Sequence, residues 1–127
     1  MSFRWVSLRT ILAIHNEQLT QHGGLSGLSD EGLLASALTR PQNLLIYEKA
    51  SLAKCAAAYA FGIIRNHPFN DGNKRTGFVV AVTFLLLNDC YINASETDVF
   101  KTVTRLADGS LLESELLEWF EKVIVRV

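Results

Sequence analysis

The chain has 127 residues, 49% of them apolar, and sets 12 lysines and arginines against 13 aspartates and glutamates. That length suffices for one domain spanning residues 1–127 with a sizeable core. The near balance of charge excludes a global basic field that would gather nucleic acid non-specifically. Its only two cysteines, Cys55 and Cys90, cannot build a disulfide framework or a zinc cluster, and each lies in or beside an apolar run. They read as buried thiols in a reducing cytoplasm.

Met1 to Arg9 has no long apolar stretch before a small-residue cleavage site, so no signal peptide is expected. Val6, Leu8, Ile11, Leu12, Ile14 and Leu19 recur mainly at three- and four-residue intervals, and Gly23-Gly24 follows. The spacing predicts a helix from about Ser7 to His22 with a left-handed stop. Leu25 to Leu28 reads as a loop. Ser29-Asp30-Glu31 then offers a capping hydroxyl and two acids to a helix from Leu33 to Thr39. Arg40 precedes Pro41, which disfavours helical backbone, so this helix is expected to end there. Leu44 to Tyr47 fits either a short helix or an extended strip.

Ala50 to Asn66 is rich in alanine and apolar on nearly every face, the pattern of a helix running through a core. A second such helix is expected from Asn73 to about Leu87. Its run from Phe78 to Leu87 is bounded by Lys74-Arg75 and Asn88-Asp89 and falls well short of the roughly 18 apolar residues of a membrane span. Ser95 to Asp98 and Ser110 to Glu113 read as capping boxes ahead of two amphipathic helices, and no strand of useful length is visible. The expected fold is all-α, a bundle of about six to seven helices in which two central hydrophobic helices flank one polar connection.

That connection is His67-Pro68-Phe69-Asn70-Asp71-Gly72-Asn73-Lys74-Arg75. Gly72 permits a positive φ or close approach of a ligand, and the amides of Gly72, Asn73, Lys74 and Arg75 open the next helix, an end that attracts anions and phosphate above all. Arg75 can grip phosphate oxygens in bidentate fashion and Lys74 adds a point charge. Asp71 is an acid at an anion site, which makes sense if Mg²⁺ stands between it and phosphate oxygens. His67 carries an imidazole that could take a proton from an attacking hydroxyl. Taken singly, His67 could cap the preceding helix, Asp71 could be an N-cap, Lys74 and Arg75 could be solvated charges and Phe69 a buried plug. Their concentration within nine residues at the centre of the core favours a phosphate-handling site. His15 and Glu17 could approach this site, but they read more readily as polar-face helix residues.

These nine residues resemble the signature of the Fic/Doc superfamily, His-x-Phe-x-(Asp/Glu)-Gly-Asn-(Gly/Lys)-Arg, with six side-chain types at fixed spacing. Arg65 and the stretch His22 to Asp30 look like the death-on-curing, or Doc, toxin branch. Fic nucleotidyl transferases typically carry Gly where this chain has Lys74, and a second Arg where it has Phe78. Both departures fall on phosphate contacts.

The resemblance implies a Doc-type toxin of a toxin–antitoxin system, a protein kinase that passes the γ-phosphate of ATP to a Ser or Thr hydroxyl of elongation factor Tu. Carried over, His67 is the base, Asp71 the Mg²⁺ ligand, and Gly72, Asn73, Lys74 and Arg75 the triphosphate contacts, with Arg65 adding charge at the rim. The self-restraining Fic motif, Ser/Thr-x-x-x-Glu-(Gly/Asn), is missing, since Glu31-Gly32 has Gly27 at the hydroxyl position. Restraint is then expected from an antitoxin whose disordered tail folds as a helix into an apolar groove. A Fic-type adenylyl transferase and a non-catalytic nucleotide or phosphoprotein binder are the competing readings.

Overall fold

A computed structural model describes residues 2–127; of the Met1 to Arg9 stretch only Met1 lies outside it. The described chain forms helices α1 (Leu8–His22), α2 (Glu31–Glu48), α3 (Leu52–Ile64) and α4 (Asn73–Leu87), strand β1 (Cys90–Ile92), helices α5 (Glu96–Asp108) and α6 (Glu113–Val123), and strand β2 (Ile124–Arg126). The fold is all-α apart from the antiparallel pair β1 and β2, in which Tyr91 faces Val125. Three residues per strand are too few for alternation to show in a sequence.

α3 is the axis of the core. Cys55, Ala56, Ala57, Ala58, Tyr59, Ala60, Ile63 and Ile64 are all buried, and α2, α4, α5 and α6 pack around them. Small residues set the distances: a Cβ added to Gly62 would stand 2.8 Å from Ala37 Cβ on α2, and one on Gly77 of α4 would meet Ile64 Cγ1 at 2.5 Å. α1 lies against α4. Both cysteines are free and buried. No helix among the described residues is long and apolar enough to cross a membrane.

The helix expected to stop at Thr39 instead runs through Pro41 to Glu48 and closes on Lys49 in the left-handed conformation. Proline there cannot donate to the Ala37 carbonyl, a loss of about 3 kcal/mol in an exposed helix. Leu34, Ala37 and Pro41 are all buried, and the Cys55 thiol donates to the Pro41 carbonyl at 3.5 Å. Packing against α3 offsets the missing bond. Two caps also differ from expectation. Asp30, not Ser29, caps α2, its carboxylate accepting from Leu33 N–H at 3.0 Å. Ser110 serves the exit turn of α5, its amide donating to Asp108, while Leu112 is the residue that caps α6, its amide donating to Glu115 at 2.8 Å.

Candidate active site

α4 differs from α1, α2, α3 and α5 in how it begins. Those four are capped by the side chains of Ser7, Asp30, Ser51 and Ser95, whereas α4 starts from Gly72 at φ 77° with no side-chain cap. Among the described residues, no acceptor reaches the amides of Asn73, Lys74 and Arg75. Open donors at a helix start favour an anion through both hydrogen bonding and the helix dipole. The loop's own residues, His67, Asn70, Asp71, Gly72, Asn73, Lys74 and Arg75, line a pocket of about 360 Å³ in front of these amides. The sequence-predicted residues other than Arg65 therefore share one cavity.

His67 stands at φ 52°, where a residue with a Cβ is uncommon. Its amide closes the last turn of α3 on Ile63 at 3.2 Å, and its carbonyl accepts from the Ser29 hydroxyl at 3.1 Å. The main chain does the capping, and the exposed imidazole makes no hydrogen bond among the described residues. Phe69 is the expected plug at 2% exposure. Asp71 is not an N-cap; its Oδ2 accepts from Leu25 N–H at 3.1 Å, and its Oδ1 has no partner among the described residues. Lys74 and Arg75 are exposed and pair with no carboxylate among the described residues.

Two sequence-predicted contacts sit differently from expectation. The Asn73 side chain is buried, accepting from Phe69 N–H and donating to Phe69 O, so only its backbone amide faces the pocket. Arg65 leaves the loop altogether: its guanidinium lies against Gly109 at the end of α5. There it supplements the Ser110 hydrogen bonds, and Arg105, in holding Asp108 below the usual carboxylate range.

Residues 5–85 match the Fic/DOC family. The chain belongs to that family. It is 36% identical over 86 residues to the "Protein kinase doc" of Escherichia phage P1, covering 67% of this chain and 68% of that protein. It is 35% identical over 102 residues to the "Toxin Doc" of Mycolicibacterium smegmatis, covering 74% of this chain and 78% of the relative. The Fic/DOC match spans α1 to most of α4 and so includes both helices that flank the loop.

Three parts of this site were not legible in the sequence pattern, the first being His15, for which only the less favoured reading, an approach to the site, fits. His15 is not on a polar face: it is 6% exposed, and its ring stacks on Phe69 with centroids 3.7 Å apart. The turn after α1 crosses the loop, with Asn70 N–H donating to Gly27 O, Asn70 Nδ2 to Ser26 O and Ser29 N–H to Pro68 O. The third is an apolar pocket of about 430 Å³ beside the first, formed by Phe78 with Val99, Phe100 and Val103 of α5 and bordered by Lys74, Arg75 and Glu96. Phe100 belongs to the apolar repeat of α5 yet is 70% exposed, which only the structure reveals.

Proposed function

We propose that the chain is a Doc-type toxin of a toxin–antitoxin system, a protein kinase that transfers the ATP γ-phosphate to a Ser or Thr hydroxyl of a translation factor. The observation that carries the proposal is the uncapped start of α4, where open amides and two cations unpaired among the described residues share a pocket with His67 and Asp71. The printed names of the two relatives, one a protein kinase and the other a toxin, support the same reading. Elongation factor Tu is the acceptor that the family resemblance suggests, and an antitoxin tail the expected restraint.

The residues present suit ATP with Mg²⁺. Asp71 offers one carboxylate oxygen without a partner, and no group of three His, Cys, Asp or Glu forms a closed cage among the described residues. One carboxylate with waters and phosphate oxygens is how Mg²⁺ is usually bound. When bound, the ion would neutralise charge on the triphosphate. The amides of α4 with Lys74 and Arg75 would orient the phosphates, and the apolar pocket beside them is large enough for the nucleoside end. His67 would accept the proton of the acceptor hydroxyl as its oxygen bonds to the γ-phosphorus. The bond from that phosphorus to the bridging oxygen breaks, and ADP leaves with the electron pair. Positioning and charge neutralisation supply most of the rate in such transfers.

Incubation of the chain with a cell lysate and ATP labelled at either the α- or the γ-phosphate tests the proposal. Label from the γ-position on protein, absent with His67→Ala, is the expected result. Protein label from the α-position would instead make it an adenylyl transferase, and no label from either a binding module.

A further inference from the structure

His15 lies on α1, outside the loop signature, and is buried against it. Its Nε2 is 2.8 Å from the Asp71 carbonyl oxygen, and because a carbonyl only accepts, Nε2 carries a proton and donates. The ring stacks on Phe69 with an interplanar angle of 10° and passes so close to Gly72 that a Cβ there would stand 3.7 Å from Nε2. A buried imidazole is costly unless bonded, and a leucine would fill this space without that demand. The next contacts along the chain also fall on Asp71. A Cβ on Gly24 would stand 3.2 Å from Asp71 Cβ and 3.1 Å from Leu19 Cδ2, and the Leu25 amide holds Oδ2. Asp71 is therefore gripped at its main chain and its side chain by α1 and the turn after it.

We propose that His15 is a positioning residue for Asp71. By fixing the peptide between Asp71 and Gly72, it sets the direction in which the remaining carboxylate oxygen meets a divalent cation. This rests on Asp71 as the metal ligand. Removing a hydrogen-bonded support of a ligand commonly weakens metal affinity about 10- to 100-fold.

Two variants separate the donor from the ring. His15→Phe keeps an aromatic face on Phe69 and loses the donor, whereas His15→Gln keeps an N–H at the reach of Nε2 and loses the ring. Each is placed in the full chain carrying His67→Ala, which prevents turnover, and titrated with Mn²⁺ in the presence of ATP. Bound Mn²⁺ is read by electron paramagnetic resonance and folding by thermal unfolding. The expected result is Mn²⁺ binding about tenfold or more weaker for His15→Phe, and close to the parent for His15→Gln. Parental affinity in His15→Phe, or a loss in His15→Gln equal to that in His15→Phe, would overturn the inference. Should His15→Phe not fold, His15→Gln decides alone: parental affinity supports the role and a loss overturns it. If the parent binds no Mn²⁺ with ATP, the metal reading of Asp71 and this inference fall together. If it binds Mn²⁺ as expected but the active chain transfers no γ-label, only the kinase proposal falls.

Discussion

Asn73 clips the loop to itself through Phe69, accepting from its N–H at 3.0 Å and donating to its carbonyl at 2.9 Å. Both groups are buried, so Asn73→Ala strands a donor and an acceptor, each worth about 1–3 kcal/mol when left unsatisfied in an interior. We expect a lower thermal midpoint together with loss of transfer. Unfolding followed by circular dichroism, alongside the labelling assay, checks this. Lost transfer at an unchanged midpoint would instead favour a direct phosphate contact by the side chain.

Lys74 stands where the Fic pattern has Gly, and the proposed choice of phosphoryl over nucleotidyl transfer rests on it. It is exposed, unpaired among the described residues and borders both pockets. Replacing it with the Fic residue, Lys74→Gly, removes the proposed charged phosphate contact and frees space at the helix start. Transfer of γ-label is expected to fall about tenfold or more, the size of one lost hydrogen bond to a charged group. Undiminished γ-transfer would show that the lysine takes no part.

Asp71→Asn keeps an oxygen for the Leu25 N–H and discards the charge. Its loop should therefore stay in place while the metal is lost. The γ-transfer rate, measured against Mg²⁺ concentration, should drop by about 10-fold or more at any level, with a thermal midpoint close to that of the unchanged chain. Chelation of the metal should abolish wild-type transfer, and added Mg²⁺ should restore it. Full activity in excess chelator would remove Asp71 from the role of ligand.

Long apolar runs and the loop between them were legible because they are local. α4 begins at Asn73 and ends at Leu87 as its composition implies, and Gly72 takes the positive φ that its place ahead of a helix suggested. What depended on distant partners was not. Pro41 signals a break in any local reading, and only its burial against α3 makes continuation through it favourable. Ser29 looks like a cap until its hydroxyl is seen to donate to the His67 and Pro68 carbonyls. His15 lies 56 residues from Asp71, so no local pattern could join them.

Alkaline pH should unfold the chain through the core of α3. Burial pushes the Cys55 thiol up to about 11 and the Tyr59 phenol up to about 12, the latter opposed by the Val6 N–H that its oxygen accepts. Both groups are neutral when protonated, and the folded chain keeps their protons to higher pH than the unfolded chain, where they titrate near 9.0 and 10.0. Below pH 9.0 their contribution is fully present, and it is lost as pH rises through about 11 and 12 because the unfolded chain ionises first. Each tenfold gain in proton affinity on folding corresponds to about 1.4 kcal/mol, so each group contributes on the order of 3 kcal/mol. Urea midpoints should therefore fall steadily across this window, and in Cys55→Ala the fall should begin only near pH 10.0, where the phenol takes over. A midpoint that stays flat to pH 11 would mean that neither proton is held by burial.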